Sequence, residues 1–503
     1  RPPRDRFDRF VSVLVFVPRD RYTTEMRERI GEALAQFYDG RMSAFFPDFS
    51  LTHLTRIQFI IGRNPGEGPN PTQDEIEAHI RAIVRSFEED LAEALATSYL
   101  PARATELQKN YTQAFGSDYR AAFAAQDAVV DIATAETLTS DAIEVRFSQR
   151  PQTSQREVVM TFHHLGDPIP LSRRVPLLEN LGFSVVNERT YRIAPAAGAH
   201  LYRHDMTLVR ADGAAFDPEA SDRLHDAVIA IWTDKAENDG FNALILQAGL
   251  DWRRAALLRT IARYLRQTNI PFSIDYLWGA LHRNPAIASL LADRFAARFE
   301  PGRKSRERLE QRLDKEIEGG LEEVTSLDDD TILRAFQQVV AATVRTDFYA
   351  AEPDDQPSAI TLKIDPKRLS FVPEPRPFRE IFVHSPEVEG VHLRFGPVAR
   401  GGLRWSDRPQ DYRTEVLGLV KAQQVKNAVI VPVGAKGGFV PGRLPATGRD
   451  AIFEAGRAAY IRFVDRLLSV TDNIEGDAVV PPEGVVRHDG DDPYLVVAAD
   501  KGT

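Results

Sequence analysis

Two short stretches combine residues that could bind anions or move protons. They are Ala399-Arg400-Gly401-Gly402-Leu403-Arg404-Trp405 and the run from Lys426 to Val433 that continues into Gly434-Ala435-Lys436-Gly437-Gly438. Each sets a cation beside a glycine pair. Glycine lets a backbone approach a ligand closely or take φ > 0 at low steric cost. Gly401, Gly402, Gly437 and Gly438 next to cations therefore suggest a compact anion pocket built from turns. Only 10 of the 63 cationic residues are lysine, and three of those ten stand at 421, 426 and 436. Arginine stays charged, whereas a buried lysine shifts its proton affinity readily and can act as base, acid or nucleophile. The loop around Lys436 is not a nucleotide-cradling P-loop, because glycine rather than Ser/Thr follows the lysine. By itself Lys436 could equally be a surface loop residue. Lys426 closes an expected helix, where a cation is also favoured by the helix dipole. Lys421, five positions earlier and so about 140° around that helix, reads as surface. Asp500, at a strand end before Lys501-Gly502-Thr503, could carry a proton or simply form a turn.

Taken together, "GPVARGGLRWSDRPQDYRTEVLGLVKAQQVKNAVIVPVGAKGGF" and "VVPPEGVVRHDGDDPYLVVAADKGT" are similar to the very large, NAD-dependent bacterial glutamate dehydrogenases. The likeness is tight over 350–503 and looser before it. It implies that Lys436 is the catalytic lysine, Asp500 the catalytic aspartate, Lys426 a ligand of the substrate α-carboxylate and Arg400 the partner of its distal carboxylate. Relatives that oxidise apolar amino acids carry an apolar residue in place of Arg400. Arginine here departs from the lysine of the small enzymes, but its planar fork suits a carboxylate bidentately. The Lys426–Lys436 spacing is two residues shorter than in those enzymes. The implied reaction is oxidative deamination of L-glutamate to 2-oxoglutarate and ammonium, with NAD as acceptor, in a homo-oligomer (a homotetramer by resemblance). No Gly-x-Gly-x-x-Gly fingerprint follows a strand, so the coenzyme domain is expected beyond 503, and this segment alone should turn nothing over. The alternatives are a dehydrogenase for another amino acid and a non-catalytic, amino-acid-binding regulatory or scaffold protein.

The elements that must position these residues form a multidomain α+β and α/β chain. An ACT-like α+β module is expected over 1–100, with strands at 10–18, 42–49 and 51–62 and a helix over 25–38. The Thr72-x-x-Glu75 capping box opens one long helix with Ile76, Ile80, Ile83, Val84, Phe87, Leu91 and Leu95 on its apolar face. A helical connector and a second ACT-like module fill 101–240. Strands are expected at 142–147, 156–164, 183–193 and 200–209, with helices at 171–181 and from Asp217-Pro218 to about 233. The resemblance allows either module an amino-acid effector; scaffolding is the default. Helices fill 241–350. The substrate-binding α/β domain spans 351–503, with strands at 359–364, 380–384, 391–395, 428–433 and 495–499 and helices at 413–426 and 450–468.

A formal charge of −10 leaves no basic excess for nucleic acid. The absence of cysteine removes disulfides, thiolate metal sites and cysteine nucleophiles, and fits a reducing cytoplasm. No apolar run reaches the ~18 residues of a membrane helix. His200 and His204, four apart on a strand, lie too far from each other for a metal pair, and no metal site is expected. Arg303–Lys315 mixes charges as a solvated helix face does, and Trp405 reads as a packing residue. The chain opens on arginine and closes just after a strand-like run, so both ends read as cuts within a longer protein.

Overall fold

The structure is a computed structural model that describes residues 9–51, 53–63, 69, 71–149, 154–351, 358–426, 433–500 and 503, with only the backbone of 423–426. The chain divides into two compact units, Arg1–Ser140 with Tyr191–Tyr202, and Asp141–Thr190 with Arg203–Thr503.

In the first unit β1 (Phe10–Pro18) buries Val11, Val13, Val15 and Val17, because β-branched residues at every second position cover one face of a pleated strand. The helix α1 (Thr24–Phe37) starts where the Thr23 hydroxyl accepts from the Met26 amide, and it presses Met26, Ile30 and Leu34 onto the sheet. With β2 (Gly40–Asp48) and β3 (Leu54–Arg63), β1 forms an antiparallel sheet of order β1-β3-β2. The single long helix expected from Thr72 is two: α2 (Gln73–Val84) and α3 (Phe87–Ser98). The cause is a second capping box. Ser86 takes the Glu89 amide and the Glu89 carboxylate takes the Ser86 amide, which starts a new helix in place of continuing the old one. The helices α4 (Pro101–Tyr111), α5 (Ser117–Ala122) and α6 (Ala125–Thr137) follow.

The second module contains β4 (Ile143–Ser148), β5 (Glu157–Leu165), α7 (Leu171–Asn180), β6 (Phe183–Ile193), β7 (Leu201–Arg210) and α8 (Ser221–Trp232). Its sheet order is β4-β5-β7-β6. Ile143, Val145 and Phe147 of β4 share a core with Leu224, Ala227, Val228 and Ile231 of α8.

The helical segment runs through α9 (Leu244–Gln247), α10 (Trp252–Arg266), α11 (Ile274–Arg283), α12 (Pro285–Phe299), α13 (Arg306–Glu322) and α14 (Leu327–Ala342). It leads into β8 (Thr343–Thr346), β9 (Ile360–Ile364), β10 (Arg379–His384), β11 (Val388–Arg394) and β12 (Gly401–Trp405). The remaining elements are α15 (Tyr412–Lys426), β13 (Ala435–Pro441), α16 (Arg449–Leu468), the small hairpin β14 (Asn473–Glu475) and β15 (Ala478–Val480), and β16 (Val497–Ala499). The large sheet has the order β16-β12-β13-β11-β10-β9-β8, parallel from β16 through β13 and antiparallel beyond. The substrate-domain sheet is therefore mixed, with its parallel ladder confined to one end. One hydrophobic core joins this sheet to the helical segment, from Phe241 and Leu257 through Phe336 to Val391 and Val416. The strand expected over 428–433 lies outside the described residues except for Val433, which is in a bend.

Candidate active site

The glycine pairs read as turns are strand residues. Gly401 and Gly402 open β12, and Gly437 and Gly438 lie within β13, its parallel neighbour. The reason is crowding. A Cβ on Gly401 would stand 1.5 Å from the Ala435 carbonyl oxygen, one on Gly437 would stand 2.4 Å from Leu403 Cδ2, and one on Gly438 would stand 2.5 Å from Val416 Cγ2. Local sequence cannot distinguish this from a turn, because both need a missing side chain.

The helix α15 carries the chain from β12 back to the start of β13, the connection a parallel strand pair requires. Its first turn is fixed by buried polar bonds. Arg413 donates to both Glu380 oxygens at 2.5 and 2.9 Å, and the Tyr412 hydroxyl donates to Glu389 at 3.0 Å. Gln267, just past the end of α10, accepts from the Arg413 amide and donates to the Pro409 carbonyl. Val416 faces Gly438 on one side of the sheet, while on the other side Phe463 of α16 stacks on Phe439.

Side chains alternate along a strand, so Gly402 and Arg404 share the face toward α15. Lys436 lies beside Gly402 in register, and Asp500 follows the last residue of β16. Lys436 and Asp500 therefore sit two strands apart, on either side of β12. They meet across it: Lys436 Nζ donates to Asp500 Oδ2 at 2.5 Å, with the two side chains 17% and 28% exposed. Gly402 makes the meeting possible, since a Cβ there would lie 1.6 Å from Asp500 Oδ1. The Asp500 amide donates to the Leu403 carbonyl, and the Thr503 hydroxyl accepts from the Trp405 amide.

Arg400 stands at the threshold of β12, bridged to Gly434 in parallel sense, and its carbonyl accepts from the Ala435 amide. Its residue is exposed, on the α15 side of Gly402 by alternation. Lys426 is the last residue of α15, and its side chain lies outside the described residues. Lys421 is exposed and reaches the Glu374 carbonyl at 3.4 Å, as a surface lysine does. Trp405 packs its ring on Gly456 of α16.

Several residues the sequence did not single out hold this arrangement. Glu415 of α15 accepts from Arg404 Nε and from the Ser406 hydroxyl, both at 2.7 Å, and ties helix to strand beside the Lys436–Asp500 pair. The approach to β16 is held from behind. Arg394 donates to the Tyr494 carbonyl and pairs with Asp492, which also receives Lys363 at 2.8 Å, while Arg345 binds Asp489 and Asp472 at 2.6 Å each. Burial pushes the Lys363 ammonium down, opposed by Asp492. Burial also acts to raise the Asp492 carboxyl, yet hydrogen bonding from Arg394 and the charge of Lys363 hold it below its ordinary value. The acidic run Asp489-Gly490-Asp491-Asp492 was the available signal, because carboxylates drawn out of water, as Asp489 and Asp492 are, need cationic partners.

Among the described residues no group of three His, Asp or Glu could hold a metal ion. His200 contacts Arg192 and His204 contacts Thr190. No helix among the described residues is long and apolar enough to cross a membrane. The turn from β12 into α15, Ser406–Asp411, has no glycine, and no strand-to-helix turn among the described residues carries Gly-x-Gly-x-x-Gly.

Five family models match consecutive stretches. The model described as bacterial NAD-glutamate dehydrogenase, catalytic domain, matches 316–503. Glutamate dehydrogenase ACT2 and ACT3 domains match 3–88 and 142–221, and helical motifs 2 and 3 match 94–138 and 236–301. The chain is 43% identical over 99% of its length to an NAD-specific glutamate dehydrogenase of Pseudomonas aeruginosa, of which it covers 31%. It is 43% identical to one of Halomonas elongata, again over 99% of this chain and 31% of the other. It is 40% identical to one of Mycobacterium tuberculosis over 99% of this chain and 32% of the other. The chain spans about a third of the length of the curated relatives it matches.

Proposed function

From the premise that this chain belongs to the bacterial NAD-glutamate dehydrogenase family, we propose that it supplies the substrate-binding part of an enzyme that oxidatively deaminates L-glutamate. The balanced reaction is L-glutamate, NAD⁺ and water to 2-oxoglutarate, ammonium, NADH and a proton. No strand-to-helix turn among the described residues carries the Gly-x-Gly-x-x-Gly fingerprint, and the roles proposed for this chain concern the amino acid. The observation that carries the reading is the Lys436–Asp500 pair, closed over Gly402 on the sheet face that bears Arg400.

Arg400 takes the distal carboxylate as a two-pronged donor, and Lys426 takes the α-carboxylate at the end of α15. Two fixed carboxylates orient Cα, and such orientation is worth orders of magnitude in rate. Gly401 and Gly402 keep the floor between them flat. Gly437 leaves room for Leu403 of β12 and Gly438 for Val416 of α15, beside the strand from which Lys436 reaches over β12. Asp500 accepts a proton from the substrate ammonium. Lys436, in direct contact with Asp500, hands protons to and from the water that adds to the iminium carbon. By the same reading the enzyme is a homo-oligomer, and its ACT modules are candidate seats for an amino-acid effector.

The test is Lys436→Ala in the full-length enzyme, with NADH formation followed at saturating glutamate. Loss of a positioned acid–base group costs about 10²–10⁴ in rate, so kcat should fall by that much while the circular dichroism spectrum stays native. A variant with near-native kcat removes the assignment.

A further inference from the structure

The first unit and the second module repeat one topology with one difference. In both, a central strand lies between two others, in the orders β1-β3-β2 and β5-β7-β6, and a helix follows the central strand in sequence (α2 and α8). The second module adds β4 ahead of β5, paired antiparallel to it, and α8 packs on β4. Among the described residues of the first unit nothing pairs with the outer edge of β1.

The gap has a shape. A cleft of about 1190 Å³ lies along β1, lined by Ser12–Phe16 on one side and by Ile76, Ile80 and Val84 of α2 on the other. Five consecutive strand residues line it, so it is the backbone edge of β1 that opens into the cleft. The α2 stripe Ile76, Ile80, Ile83 and Val84 lies on one helix face, as do the buried Leu224, Ala227, Val228 and Ile231 of α8. In α2 only Ile76 is buried and the others are half-covered. Nine residues of β1 carry no charge and, apart from Pro18, none of the devices that protect free strand edges from pairing.

The geometry points to a missing fourth strand: we propose that an extended segment of the same polypeptide, lying ahead of Phe10, docks antiparallel on the outer edge of β1 and under α2. The second module supplies the template. There β4 ends nine residues before β5 begins and sends Ile143, Val145 and Phe147, alternate residues, under α8. The docking segment is accordingly about six residues long and apolar at alternate positions, the pattern of a strand added at a sheet edge. A second copy of β1 is the competing occupant. It is disfavoured because the repeat places the fourth strand in the same chain, directly before its partner.

Hydrogen–deuterium exchange of the Phe10–Pro18 peptide decides between them, compared in this 503-residue chain and in the full-length protein. The proposal expects exchange at least tenfold slower in the full-length protein, at all protein concentrations. It also expects Ile80→Glu in the full-length protein to return β1 to fast exchange while the Glu157–Leu165 peptide of the second module is unchanged. Should Ile80→Glu loosen β3 as well, the milder Ile80→Ala carries the comparison. Equal exchange in the two proteins overturns the proposal. So does protection that appears in the 503-residue chain as its concentration rises, which assigns the edge to a second copy.

Discussion

Replacing Gly402 by alanine tests the site more sharply than removing either charged partner, because it leaves every charge in place. The added Cβ would stand 1.6 Å from Asp500 Oδ1 and 2.4 Å from its Cγ, where ordinary contact begins at 3.4 Å. The carboxylate must therefore retreat by 3.4 − 1.6 = 1.8 Å, and Gly402 sits in a strand where alanine fits the backbone itself. From a starting separation of 2.5 Å, such a retreat breaks the hydrogen bond to Lys436. A misplacement of about 1 Å at a reacting group costs on the order of 10²-fold in rate, so kcat in the full-length enzyme should fall at least that far. Stability should fall by about 1–3 kcal/mol, the usual cost of overpacking. Pairing the substitution with Asp500→Ala relieves the clash, so the double variant should recover thermal stability and stay inactive. Gly418→Ala on α15 is the control. A Cβ there meets nothing within 4 Å, so that change should be neutral or stabilising by up to about 1 kcal/mol. A Gly402→Ala enzyme with native kcat would refute the geometry.

Other perturbations separate binding from architecture. Arg400→Leu should raise the KM for glutamate by about 10- to 10²-fold, as loss of a charge-assisted pair worth ~1.5–3 kcal/mol implies, and should improve leucine relative to glutamate; an unchanged preference sinks the distal-carboxylate role. Glu380→Gln leaves Arg413 buried without its anion and should cost about 3–5 kcal/mol in urea unfolding. A loss below ~1 kcal/mol would show that the pair does not anchor α15. The buried imidazole of His392 is held down to about 3, by desolvation first and by the Arg394 charge second. It is neutral when folded but takes a proton below 6.5 when unfolded. Its effect is absent above pH 6.5, and stability falls as pH drops from there toward 3, by about 1.4 kcal/mol per pH unit. The His392→Gln protein should lose that share of the slope, and identical pH profiles would count against it.

The sequence revealed most where local chemistry decides the outcome. The alternating valines of β1, the Thr72–Glu75 box and the helices from Thr24 and Arg449 are local signals, and each is where periodicity or capping places it. The strand glycines were opaque because their cause is a neighbouring strand or helix far away in sequence. The break at Ser86 is hidden in the sequence because the apolar period runs straight through it. Local chemistry singled out Arg400, Lys426, Lys436 and Asp500 as candidates, but the role proposed for each came only through resemblance. That Lys436 and Asp500 touch, and that Gly402 is the gap they touch through, needs the sheet order, which no local pattern contains. The braces Arg394, Asp492 and Glu415 escaped notice for the same reason.

The shared core has a practical corollary for dissecting these large enzymes. A cut at residue 316, where similarity to the catalytic domain begins, would pass through α13 and strip α10, α11 and α12 from the sheet. It would leave Val391 and Tyr412 bare to water and take away Gln267, which grips the first turn of α15. A fragment trimmed to the family boundary should therefore aggregate.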